Sequence, residues 1–96
     1  MIRSFGDDIT SAVFHGEPAA LVRRFPPDVR DRAVRKMDVL NNSTSLAAVG
    51  VLPGTRIESL HGDLVGFHSV RGNDQWRLIF RWSDGDATDV RLIDYH

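Results

Sequence analysis

Between residues 75 and 82 every second side chain is large and apolar, Trp76, Leu78, Phe80 and Trp82, while Gln75, Arg77, Ile79 and Arg81 fill the positions between. A period of two is that of a strand with one face turned to a core. The same pattern extends over the second half of the chain and predicts strands near Arg56 to Leu60, Val65 to Arg71, Gln75 to Trp82 and Ala87 to Ile93. His61-Gly62-Asp63, Gly72-Asn73-Asp74 and Ser83-Asp84-Gly85-Asp86 supply the turns. Upstream the period changes. Val29, Ala33, Met37 and Leu40 step by four, four and three, which is one face of a helix starting at Pro26-Pro27-Asp28 and ending near Asn41. A shorter helix is predicted from Asp7 to His15, with Asp7 or Asp8 as cap, Ile9, Ala12 and Val13 facing inward and Gly16 as its stop. Ile2 to Phe5 suits a short edge strand, Ser43 to Val49 one further helical turn, and Pro53-Gly54 a turn. The chain therefore reads as helices followed by a meander, an α+β arrangement in which the apolar face of the third long strand meets the helices.

A chain of 96 residues makes one domain, residues 1–96, with a thin core. It has no cysteine, so neither disulfides nor thiolate metal sites contribute. Four scattered histidines without paired ligand spacing give no metal site, and no cofactor is expected. Met1 to Asp8 turns acidic before an apolar run develops, and no stretch has membrane-spanning length, so a soluble cytoplasmic protein is expected. Net charge is −1, which argues against strong non-specific nucleic-acid binding. Any phosphate-handling surface must be local. Eleven of the twelve basic residues are Arg, the side chain suited to bidentate phosphate binding.

The register of the last hairpin is expected from the same residues. A two-residue Asp84-Gly85 loop would set Phe80 against Asp89 and mix the two faces. A three-residue Ser83-Asp84-Gly85 loop instead places Phe80 opposite Thr88, Leu78 opposite Val90 and Trp76 opposite Leu92. Arg77 then opposes Arg91, and two like charges on an open sheet face predict either a bound anion or two solvated arginines.

The predicted final strand runs into Asp94-Tyr95-His96, which combines a carboxylate, a ring and an imidazole suited to proton transfer and base stacking. With Leu60-x-Gly62-Asp63-x-x-Gly66, Trp76-Arg77-x-x-Phe80, Asp84-Gly85-Asp86-Ala87 and the opening Met1-Ile2-Arg3-Ser4-Phe5, these residues resemble the HigB-like toxins of the RelE/ParE superfamily over nearly the whole chain. These are the toxic halves of bacterial type II toxin–antitoxin pairs. The resemblance implies two to three helices packed on one side of a curved antiparallel sheet. It also implies ribosome-dependent cleavage of mRNA in the A site, inhibition of translation, and a cognate helix-turn-helix antitoxin of the HigA kind.

Metal-free cleavage requires a base for the ribose 2′-hydroxyl, an acid for the leaving 5′-oxygen and a cation at the phosphate. Carried over by position, Arg77 stabilises the phosphate, while Asp94, Tyr95 and His96 orient RNA and share proton transfer. Where some relatives have a His before the glycine turn this chain has Glu58, and where a Lys commonly adjoins the turn glycine it has His61. His61 and His96 are expected as the titrating pair, with Glu58 as a further candidate and Arg71, Arg81 and Arg91 as phosphate contacts. His15 and His68 are given no role. Arg23, Arg24, Arg30, Arg32, Arg35 and Lys36 fall within 14 positions and offer a surface for an acidic antitoxin segment or for ribosomal RNA. Two other readings stay open: a ParE-like gyrase inhibitor on the same fold, and a non-catalytic relative that only binds its antitoxin.

Overall fold

A computed structural model of the chain describes residues 1–17, 23, 25–50, 57–71 and 76–94. The first helix, α1 (Asp8–Phe14), starts where Asp7 accepts a hydrogen bond from the Thr10 amide, and it stops before Gly16 at φ +66°. The long helix α2 (Pro27–Asn42) has proline in its first turn and buries Val29, Ala33, Met37 and Leu40, the stripe read from the spacing. A single turn, α3 (Leu46–Val49), is capped by Ser45. The strands β1 (Ile57–Ser59), β2 (His68–Arg71), β3 (Trp76–Ser83) and β4 (Asp86–Asp94) form an antiparallel sheet in sequence order. The predicted turns at Pro53-Gly54 and Gly72-Asn73-Asp74 lie outside the described residues.

The helices cover one face of the sheet. Phe80, Val70, Leu78, Val90 and Leu92 meet Met37, Leu40 and Val29 there, and each fully buried side chain of this kind contributes roughly 1.5–3 kcal/mol. Trp76 closes the layer edge-on against Phe25. The opposite face has its own smaller cluster of Leu60, Phe67 and Ile79, with Leu64 and Ile93 against it. Among the described residues no α-helix packs on that cluster.

The hairpin register differs from the expected one. Ser83 pairs with Asp86, Trp82 with Ala87 and Arg81 with Thr88, so the loop is the two-residue Asp84-Gly85, both residues having positive φ (52° and 82°) as a type I′ turn requires. The mixing of faces that such a loop would cause is removed by a bulge. Past it, Ile79 pairs with Arg91, Leu78 with Leu92, Arg77 with Ile93 and Trp76 with Asp94. Two residues of β4, Asp89 and Val90, thus stand against Phe80 alone, and Asp89 takes φ +52°. Arg77 opposes Ile93 rather than Arg91, and its other register partner is Arg71. The like-charge argument built on Arg77 and Arg91 therefore does not apply.

Residues 2–5 run parallel to β4, bridging Ile2 to Ala87 and Phe5 to Val90. The Arg3 and Gly6 amides donate to the Ala87 and Val90 carbonyls, and the Ala87 and Val90 amides donate to Met1 and Ser4. Farther along, the Leu92 amide donates to Thr10 Oγ1 at 3.0 Å, inside a fully buried site. Thr10 was not foreseen as an inward residue. Arg3 Nε and the α-amino group both meet Asp86, and the hydrogen bond from Arg3 holds the Asp86 carboxyl below the usual carboxylate range.

Two outcomes follow. Thr10→Val keeps the volume but leaves the Leu92 amide without an acceptor, and urea unfolding should show a loss of about 1–3 kcal/mol. Because Asp86 is depressed when folded, its contribution is present above the unfolded value of about 3.9 and is lost as pH falls through the lower folded value. Asp86→Asn should therefore flatten the acid limb of the stability–pH curve below about pH 4.

Candidate active face

On the face away from the helices, alternation brings together residues that are distant in sequence. One row across the sheet reads Glu58, Ser69, Ile79, Arg91, and the next reads Arg71, Arg77, Ile93. Arg77 is the best-held cation of the group, its side chain only 11% exposed, with Nη1 3.7 Å from Glu58 Oε2 and 3.4 Å from Ser69 Oγ. Glu58 is 45% exposed and so keeps access to solvent. A guanidinium against a half-exposed carboxylate can hold a phosphoryl group while the carboxylate remains able to take a proton.

Asp94 arrives at the same end of the sheet, one step beyond the Arg77–Ile93 pair and level with Trp76. Its side chain stands on the opposite pleat from Arg77 and is exposed. Tyr95 and His96 lie outside the described residues. His61 is elsewhere: it is an exposed residue opening the short 3₁₀ turn Gly62–Leu64 beyond the other end of β1. The levels of His61 and Arg77 differ by about five strand residues, roughly 15 Å or more along the sheet. Glu58, not His61, is the residue of the glycine-turn segment that reaches Arg77.

Arg81 and Arg91 are both on this face. Arg81 Nε is 3.6 Å from Asp89 Oδ2, and both guanidinium groups lie over the Phe67 ring. Arg71 ends β2 as the register partner of Arg77; its side chain is not described. Ser69 and Phe67 were missed by sequence reasoning, although period two from Arg71 puts both on its face. Of the remaining histidines, the His15 ring packs edge-on against Phe5 and Phe14, and His68 packs against Phe80 on the helix side.

The cluster of bases read along α2 is not one surface. Arg30 lines a cleft of about 380 Å³ against α1 with Ala12, Val13, Glu17 and Asp31. Arg35 lies on the other flank with Arg32, Lys36 and Val39. Arg23 is exposed, and Arg24 is outside the described residues. Among the described residues no helix is long and apolar enough to cross a membrane.

The family model described as RelE-like toxin of type II toxin–antitoxin system HigB matches residues 3–96. Toxin HigB-1 of Vibrio cholerae serotype O1 is 37% identical over 70 residues, spanning 73% of this chain and 74% of that protein.

The Arg77–Glu58 contact should be weak energetically, since Glu58 is half-exposed and the separation is 3.7 Å. A double-mutant cycle of Arg77→Met and Glu58→Gln is expected to give a coupling energy of about 0.2–1 kcal/mol in urea unfolding.

Proposed function

The chain belongs to the HigB family of RelE-like toxins of type II toxin–antitoxin systems, and from that premise we propose that it is a ribosome-dependent endoribonuclease that cuts mRNA in the A site. The observation that carries this reading is the placing of Arg77 and Glu58 on the uncovered sheet face, at the end to which β4 delivers Asp94. In the proposed step Glu58 takes the proton of the ribose 2′-hydroxyl, whose oxygen attacks the adjacent phosphorus. Arg77 holds the phosphoryl oxygens as charge accumulates on them. The bond to the 5′-oxygen breaks and that oxygen receives a proton from the Asp94-Tyr95-His96 group, with His96 as acid. The products are a 2′,3′-cyclic phosphate and a 5′-hydroxyl, and translation of the cut message stops.

Of the two candidates, Glu58 rather than His61 is assigned the base's role, because Glu58 reaches Arg77 and His61 stands toward the other end of the sheet. A type II toxin has a cognate antitoxin; that this one carries a helix-turn-helix, and that its acidic segment meets the Arg32, Arg35 and Lys36 flank of α2, are parts of the proposal.

Primer extension on a defined mRNA in a purified bacterial translation system tests the reading. The wild type should cut within the A-site codon. Arg77→Ala, Glu58→Gln and a chain lacking His96 should each lose at least about 100-fold in rate, while His61→Gln stays within a few-fold. Full activity in Glu58→Gln with loss in His61→Gln would reverse the assignment. Absence of any cut by the wild type would leave a toxin relative that acts by binding.

A further inference from the structure

Arg81 and Arg91 reach the uncovered face from different strands and converge on one ring. Their Cζ atoms are 4.4 and 5.4 Å from the Phe67 centroid, so the two guanidinium carbons are within about 10 Å of each other. Phe67 itself is 6% exposed and belongs to the small cluster with Leu60 and Ile79, so the ring is a fixed floor. Two glycines make the arrangement possible. A Cβ on Gly66, which has φ +91°, would stand 3.0 Å from Arg81 Nη1. A Cβ on Gly6, where the N-terminal segment passes β4, would overlap the Cγ and Cδ of Arg91.

The charge of this pair is only partly compensated. Arg81 has Asp89 at 3.6 Å, with both side chains about half exposed. Arg91 has no carboxylate within salt-bridge distance among the described residues. Arg81 is four residues along β3 from Arg77, a distance of roughly 13 Å. The pair is therefore separate from the Arg77–Glu58 contact yet on the same face.

We propose that Phe67, Gly6 and Gly66 are positioning residues that hold Arg81 and Arg91 as a paired-guanidinium site for the backbone of single-stranded RNA, taking phosphates away from the bond that is cut. This rests on the open face being the RNA face. Lying over a ring holds each guanidinium by cation–π attraction, which does not use its N–H donors and leaves them able to bind an anion. A phosphodiester chain supplies successive anions on one strand, which suits two cations over one ring that a single carboxylate, Asp89, compensates only in part. It also gives the N-terminal segment a part in the site, since Gly6 is what lets Arg91 lie where it does.

The test is fluorescence anisotropy with the full chain and a labelled 12-nucleotide 2′-O-methyl RNA, which cannot be cut, over a range of KCl concentrations. The wild type should bind with log K falling linearly in log salt. Arg81→Gln and Arg91→Gln should each reduce the slope by about 0.7, and the double variant by about 1.4. Gly6→Ala should reproduce Arg91→Gln. Phe67→Leu should weaken binding and Phe67→Tyr restore it, with urea midpoints recorded for every variant. Unchanged slopes in both arginine variants, no RNA binding by the wild type, or equal binding of a polyglutamate peptide would overturn the proposal. A wild type that binds with these slopes but makes no A-site cut retires the nuclease reading and keeps this site. A wild type that cuts while the slopes stay fixed does the reverse.

Discussion

Asp89 at φ +52° is the constraint on which the sheet depends. A type I′ turn at Asp84-Gly85 fits the twist of the hairpin, but continued without a shift it would set Leu78 against Arg91 and draw a guanidinium into the helix-facing layer. Burying an unpaired charge costs several kcal/mol. A left-handed residue costs an L-amino acid about 1–2 kcal/mol, and less for Asp, so the bulge is the cheaper arrangement. With it, Ala87, Val90 and Leu92 all face the core, and Arg91 falls on the open face beside Arg81. The N-terminal segment follows from the same geometry, since it bridges to β4 before the bulge, at Ala87, and at the bulge residue Val90, and the Ser4 hydroxyl accepts from the Asp89 amide.

The two faces then divide the work. The helix-facing layer contains the large buried side chains and supplies the cohesion, with Thr10 of α1 accepting from the Leu92 amide of β4. The other face is apolar only at its centre, around Phe67 and Ile79, and arginines surround that centre. Phe67 and Ile79 are buried with Leu60, Leu64 and Ile93 around them, and the Arg81 and Arg91 guanidinium groups lie over the Phe67 ring. Cations over a buried ring give this face a local positive charge. The near-neutral total charge of the chain does not bear on it, because the field that a ligand meets is the local one.

Particular residues show why some of this was readable. The α2 stripe was exact to the residue because a long amphipathic helix repeats its signal four times. The four strands were found within one to three residues, as period two and the glycine turns mark them. The register was not, because a bulge adds one residue at a position that no local pattern announces. The distance between His61 and Arg77 was not legible either, because closeness to a glycine turn in sequence says nothing about which end of the sheet that turn closes. The basic cluster on α2 was legible as composition but not as a surface, since Arg30 and Arg35 emerge on opposite flanks.

By itself the sequence determined the order of helices and strands, the buried stripe of α2, the apolar face of β3 and the family, because each is written in local periodicity or in contiguous motifs. The tertiary structure alone decided that Glu58 and Ser69 meet Arg77, that Ile93 rather than Arg91 opposes it on β4, and that Phe67 underlies two guanidinium groups. Those are contacts between strands, and strand contacts depend on register, which is fixed by how turns, bulge and core packing are satisfied together.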